Sequence, residues 1–276
     1  MTPYATPEEE WHDFLSGTHP HLHEKSPLRF LPSNPRCRLC KAPFGRPGAL
    51  VLRRFGFTPW AKNPKLCGRC FRGLKLHAAM CPGAPGDAEV RGAEVELSML
   101  FADVRGSSQL ARATSTTEFT QLMDRFYRVS MDALVDHDAI VEKFVGDEVV
   151  GLFLPFLTGP EHPARAVEAA EALLAAVGYG SAEGPWLPLG VAVHTGPAFV
   201  GIVGNRDARD FTALGDPMNV AAHLASKAAA GELLVTRSVV DRVRSLAARD
   251  LDHRQESLKG YPVDAFVVRP AGAAAR

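Results

Sequence analysis

No run of about 18 consecutive apolar residues occurs in the 276 residues, which excludes an ordinary transmembrane helix. The opening MTPYATPEEEWHDF is acidic and lacks the basic and apolar regions of a secretory signal, so a cytoplasmic protein without membrane attachment is expected. A disulfide framework is equally absent: the five cysteines are odd in number, and four of them form two C-x-x-C pairs, which in a reducing compartment points to metal. There is no internal repeat and no low-complexity tract beyond the terminal AGAAAR. Net charge is zero, yet Lys and Arg are missing from residues 1–24, which hold five acids, and acids are missing from residues 25–76, which hold 13 Lys and Arg. Such blocks predict separate modules rather than one uniform surface. The 46% apolar content is enough to fill a real core.

The boundaries follow from these shifts: an acidic segment over 1–24, a basic cysteine module over 25–80, a Pro/Gly-rich linker over 81–93, a main domain over 94–270 and a tail over 271–276. In the main domain VELSMLFADV (95–104) alternates as a strand, with Val95, Leu97, Met99, Phe101 and Asp103 on one face. STTE (115–118) is a capping box opening a helix with Phe119, Leu122, Met123, Phe126 and Val129 at helical spacing. AIVEKFVGDEVVGLFL (139–154) reads as a hairpin turning at Gly146-Asp147. A helix is expected over 160–177, a strand over 186–196, a Gly-punctuated strand pair in FVGIVG and DFTALG, and a helix N-capped by Asp216 with Pro217 in its first turn. Six to eight strands with four or five helices predict an α+β sandwich, helices over a mainly antiparallel sheet.

Asp103 and Asp147 each end a strand, where scaffold rather than mobile loop would hold hard oxygen ligands for Mg²⁺ or Mn²⁺. Taken singly, Asp103 also suits a helix N-cap and Asp147 a turn. Arg105, Gly106, Ser107 and Ser108 follow Asp103 as a Gly/Ser turn opening a helix, and backbone N–H groups from Val104 to Ser108 suit a polyphosphate. Asn219 and His223, four apart on one helix, point the same way. His194 is expected to be a strand-end residue whose role is structural.

Together LFADVRGSS (100–108), EKFVGDEVVGLF (142–153), GVAVHTGPAFVGIVG (190–204) and FTALGDPMNVAAHLAS (211–226) resemble the class III adenylate and guanylate cyclases, in family order and spacing. The resemblance implies a ferredoxin-like core, an active site between two subunits of a homodimer, and a nucleoside triphosphate as substrate. It implies two divalent metals held by Asp103 and Asp147, base recognition by Lys143 and Thr212, ribose orientation by Asn219, and phosphate binding by Lys259 in ESLKGYPV. Lysine only donates, so Lys143 suits the N1 acceptor of adenine and opposes the N1–H of guanine. ATP is therefore favoured, CTP or UTP remain open, and GTP is disfavoured. The family usually has arginine where this chain has His223, which lowers turnover or calls for a partner that supplies the arginine.

Cys37, Cys40, Cys67 and Cys70 form two knuckles 26 residues apart, the arrangement of a tetrahedral Cys₄ zinc site, with an iron–sulfur cluster using Cys81 as the alternative. The surrounding cations exceed what a zinc tetrathiolate balances, so the excess is expected to face the acidic main domain, with nucleic acid as the alternative partner and a weakly active cyclase-fold adaptor the alternative function. Phe44, Phe55, Phe57, Trp60 and Phe71 are expected to form the module's core.

Overall fold

The computed structural model describes residues 4–32, 34–45, 49–70, 91–204, 209–258 and 261–269. They fall into two compact units, Met1–Val95 with Phe199–Thr212, and Glu96–Ala198 with Ala213–Arg276. Lys259, Phe71 and Cys81 lie outside the described residues.

In the first unit, helix α1 (Pro7–Ser16) starts at a complete capping box between Thr6 and Glu9 and stops at Gly17, whose φ of 87° ends it in a left-handed turn. It buries Trp11, Phe14 and Leu15. Further along, β1 (Pro59–Trp60) and β2 (Asn63–Cys67) form a small antiparallel hairpin. Phe44, Leu52 and Phe57 pack with the buried Cys37 and Cys67 as the core of this module. Two of the expected core aromatics lie elsewhere: Phe55 is 60% exposed, and Trp60 sits half-buried at the hairpin tip, edge-on to Phe211.

The remaining elements are organised on an eight-stranded sheet, of which residues 92–95, 199–204 and 209–212 belong to the first unit and the rest to the second. These elements are β3 (Gly92–Val104), α2 (Ser107–Ala113), α3 (Thr116–Asp136), β4 (Ile140–Val145), β5 (Glu148–Phe153), α4 (His162–Val177), β6 (Leu189–Gly204), β7 (Arg209–Leu214), α5 (Asp216–Lys227), β8 (Leu233–Thr236), β9 (Asp252–Leu258) and β10 (Tyr261–Val268). The strand order is β4-β5-β3-β6-β8-β10-β9, with β7 paired to β6. The β4/β5, β3/β5, β8/β10 and β9/β10 pairs are antiparallel, while β6 and β8 run parallel from Val191 opposite Leu233. This is the expected α+β architecture, and its similarity to known folds is taken up below.

Four local readings change. β3 is buried on both faces, Leu97, Met99 and Phe101 on one and Leu100, Ala102 and Val104 on the other, because it lies inside the sheet between β5 and β6. The strand expected over 186–196 and the FVGIVG run are one continuous strand, β6. Asp216 is the first residue of α5 rather than its N-cap, which is Gly215 at φ 138°, a value that favours glycine. The fourth is that α4 begins at His162, preceded by a 3₁₀ turn at Gly159–Glu161.

The capping box of α3 is complete, Ser115 accepting from Glu118 N–H and Glu118 accepting from Ser115 N–H. It orients a helix whose Phe126 and Leu134 pack with Leu173 and Leu174 of α4 over Val149 and Phe153 of the sheet. Among the described residues no helix is long and apolar enough to cross a membrane.

Two histidines are held neutral by this packing. His162 Nδ1 lies 2.9 Å from Ser98 Oγ, and His194 Nδ1 lies 2.9 Å from Thr236 Oγ1. Burial lowers both from the ordinary 6.5 to about 4. Below 6.5 the unfolded chain takes up protons that the folded chain refuses, so this stabilisation is whole above that pH and lost as pH falls towards 4. Thermal melts between pH 7.5 and 5 should show Tm falling for the wild type and falling less steeply for His162→Asn/His194→Asn. Equal slopes would remove these histidines from the account.

Candidate active site

Asp103 lies opposite Glu148 in the β3/β5 ladder, and Val104 N–H donates to Asp147 O at 3.0 Å. Residues 103, 147 and 148 are therefore neighbours along the backbone where that ladder ends. Gly146 turns the β4/β5 hairpin at φ 60°, and a Cβ there would meet nothing within 4 Å, so the position needs the backbone conformation rather than the space. Tyr127 of α3 donates its hydroxyl to Gly146 O and fixes the turn, a role no sequence motif announces. A cavity of about 440 Å³ opens here, lined by Ser107, Ser108, Thr120, Tyr127, Gly146 and Asp147.

The Arg105 guanidinium pairs with the Asp103 carboxylate and donates to Ser226 O at 2.7 Å in the last turn of α5. Burial lowers its pKa, and the negative charge of Asp147 opposes that shift. The amides of Val104 and Arg105 are engaged, by Asp147 O at 3.0 Å and Pro188 O at 2.8 Å. These two do not present free N–H groups to a phosphate, contrary to expectation, because they continue the sheet's own hydrogen bonding. Gly106, at φ 70°, begins α2 without a side-chain cap, and Ser107 and Ser108 stand on the cavity wall.

Asp103 and Asp147 fit a divalent cation by donor chemistry: both offer hard carboxylate oxygens, and the one on Asp103, 25% exposed, already holds a cationic partner. Burial raises the pKa of Glu148, with Lys143 opposing and Asp147 and Glu142 adding to the rise. A bulge between Val141 and Lys143 places Glu142 in the interior, 3.5 Å from Lys143 Nζ, while Lys143 stays exposed. Glu142 and Glu148 thus join the charge balance of the site, although the sequence alone presents them as ordinary strand residues.

Asn219 and His223 lie one turn apart on α5, Asn219 exposed and His223 half-buried. His223 Nε2 donates to Ser257 O at 3.0 Å, tying α5 to the end of β9, two residues before Lys259. Thr212 is half-buried on β7 in the first unit.

Residues 91–268 match the family described as the adenylate and guanylate cyclase catalytic domain. The chain belongs to the class III nucleotidyl cyclases. It is 28% identical to uncharacterized protein Rv1318c of Mycobacterium tuberculosis over 188 residues, 67% of this chain and 34% of that one. It is 31% identical to uncharacterized protein Rv1320c of the same organism over 134 residues, 48% and 23% of the two chains. The cyclase thus spans about a third or less of the length of these curated relatives. In fold it is similar to the adenylyl cyclase CyaB from P. aeruginosa, with a TM-score of 0.57 and 22% identity over 68% of this chain and 98% of that one. It is also similar to the guanylyl cyclase Cya2, with a TM-score of 0.57 and 19% identity over 64% and 93%. Class III cyclases as a family act on nucleoside triphosphates with divalent metal and typically dimerise.

The first unit of this cyclase carries a second centre. The thiol pairs Cys37/Cys70, Cys40/Cys67 and Cys67/Cys70 lie 3.7, 3.8 and 3.5 Å apart, and all four sulfurs are within 4.8 Å of one another. A single tetrahedral ion with metal–sulfur bonds of about 2.3 Å sets its sulfurs about 3.8 Å apart, which the thiols match. A cluster spreads its thiolates over several irons and fits them less well. Cys67 N–H points at Cys37 Sγ at 3.3 Å, the kind of donor that stabilises thiolate charge, and Lys41, at φ 61°, turns the first knuckle. Cys67→Ser should lose about one equivalent of bound metal per chain and lower Tm, because metal binding here is folding free energy. Metal analysis and melting of both proteins check this, and unchanged metal content would contradict it.

Proposed function

We propose that this cyclase converts ATP to 3′,5′-cyclic AMP and pyrophosphate, acting as a cytoplasmic homodimer with two Mg²⁺ or Mn²⁺ per site and a structural Zn²⁺ in the four-cysteine module. The observation that carries the choice of base is Lys143, an exposed donor on β4 beside the carboxylate cluster. An ammonium complements the N1 acceptor of adenine and opposes the N1–H of guanine, and Thr212 offers an acceptor to the adenine amino group.

The remaining roles follow from chemistry and from the family pattern. Divalent cations bound by Asp103 and Asp147 would polarise the ribose 3′-hydroxyl and neutralise the triphosphate. The 3′-oxygen attacks the α-phosphorus, the bond from that phosphorus to the bridging oxygen breaks, the hydroxyl proton passes to solvent, and pyrophosphate departs. Asn219 orients the ribose, while Gly106, Ser107, Ser108 and Lys259 hold phosphate oxygens. Holding the 3′-oxygen in line with the leaving group is the larger part of this catalysis, since no covalent enzyme intermediate is needed.

Incubation with each of the four nucleoside triphosphates and Mg²⁺ or Mn²⁺, with products identified by mass spectrometry, tests the reading. Cyclic AMP should dominate, and cyclic GMP as the main product would overturn the base assignment. Asp103→Asn and Asp147→Asn should each lower kcat at least about 100-fold in folded protein, since each removes a charged metal ligand. Turnover near wild type in either would remove that residue from the metal site.

His223→Arg tests the departure from the family pattern. Arginine has five N–H donors, enough to keep the bond to Ser257 O and still present a fixed charge towards phosphoryl oxygens. Turnover should rise at least about 10-fold, a fraction of the roughly 100-fold or more that a charged donor aimed at developing charge can supply, while His223→Ala should fall below wild type. Equal rates for all three would place residue 223 away from the transition state.

A further inference from the structure

The small hairpin of the first unit joins two features that the cyclase reaction does not by itself connect. At its foot Cys67, the last residue of β2, is one of the four clustered thiols. Pairing of Pro59 with Cys67 and the 2.8 Å bond from Gly68 N–H to Thr58 O lock that foot. At its tip Lys62 Nζ donates to Asp210 Oδ2 at 2.8 Å and to Phe211 O at 2.9 Å, and the Trp60 ring stands edge-on to Phe211 with centroids 6.0 Å apart. Asp210 and Phe211 belong to β7, and the next residue is Thr212.

The tip contact has the marks of a built clamp rather than a chance surface pair. The Lys62 side chain is only 17% exposed, and one of its two bonds goes to the backbone carbonyl of the strand itself. Phe211 is 6% exposed, and Asp210 Oδ1 accepts from the Phe211 N–H at 2.8 Å. An ammonium bonded to a strand carbonyl fixes that peptide's orientation, and the peptide that follows Phe211 carries Thr212.

We infer that Lys62 and Trp60 are positioning residues for base recognition, and that metal in the four-cysteine centre keeps the hairpin stiff enough for them to do so. This rests on the cyclase reading of Thr212, and it makes the cysteine module part of substrate choice instead of a separate fold element. The chain of contacts runs from Cys67 along β2 to the hairpin tip, from Lys62 and Trp60 to Asp210 and Phe211, and through one peptide bond to Thr212. Loss of either side chain, or of the metal, loosens the hold on β7. It therefore weakens nucleotide binding and base discrimination more than the rate of the chemical step.

The experiment compares the full-length wild type with Lys62→Ala, Lys62→Arg, Trp60→Ala and Cys67→Ser. KM and kcat are measured for ATP and GTP, with hydrogen exchange of peptides covering residues 209–214. Lys62→Ala and Trp60→Ala should raise KM for ATP about 3- to 10-fold, the range for a partly exposed charged hydrogen bond, with a smaller change in kcat. The ratio of ATP to GTP use should fall and exchange in 209–214 should quicken, while Lys62→Arg stays near wild type. Cys67→Ser should reproduce the faster exchange. Unchanged exchange in Lys62→Ala and Trp60→Ala overturns the clamp, and faster exchange with unchanged KM and base ratio overturns its role in recognition. Wild type without any cyclic nucleotide product overturns the cyclase reading itself, and exchange then still reports whether the hairpin holds β7.

Discussion

The carboxylate end of the sheet depends on one guanidinium. Arg105 joins the Asp103 side chain to the last turn of α5, so a single cation fixes a strand end, a loop and a helix end. Without it the negative charges of Asp103, Asp147 and the half-buried Glu148 would be left to Lys143, which already offsets Glu148, and like charges in partly desolvated space disfavour one another. Arg105 also competes with any metal for Asp103. A divalent cation arriving there would have to displace the guanidinium, which would then be available to phosphate oxygens. The same residue can thus hold the site together before substrate binds and balance charge afterwards.

That constraint explains which parts of the site were legible from sequence. The Gly146-Asp147 turn and the Ser115/Glu118 capping box are local rules written in adjacent residues, and both appear in the structure as the spacing predicts. The two C-x-x-C pairs are equally local, and their sulfurs converge. Features that depend on a distant partner were not legible. The engagement of the Val104 and Arg105 amides needs Asp147 and Pro188, and the bond from His223 needs Ser257, 34 residues away. The bulge that buries Glu142 and leaves Lys143 exposed arises from register against β5, which alternation in the sequence does not encode. Asp216 was misread as an N-cap because Asp-Pro is a strong start signal, although Gly215 is the residue with the required backbone.

The long β6 strand shows the same limit from another side. Its sequence LGVAVHTGPAFVGIVG contains Gly196 and Pro197, which ordinarily punctuate a strand, yet it continues without a break. A Cβ at Gly196 would lie 3.1 Å from the His194 ring and 3.3 Å from Pro217, so glycine there answers close packing instead of ending the strand.

The first unit presents the opposite problem, an excess of charge with few regular elements to absorb it. Short helices and a small hairpin leave many backbone carbonyls outside any ladder, and such carbonyls take donors from side chains or water. The basic residues supply them: Arg36 donates to Arg29 O at 2.6 Å and also to Leu31 O, Arg69 to Phe55 O at 3.2 Å, and Lys25 to Leu39 O at 3.3 Å. Arg69 in addition covers the Phe57 ring at 5.1 Å. Side chains held this way are committed to the chain's own backbone. An acidic residue in their place could accept but not donate, and would add to the negative charge of four thiolates around a divalent ion. The absence of Asp and Glu from residues 25–76 therefore follows from two demands that act together, donors for unpaired carbonyls and cations around a sulfur-rich centre.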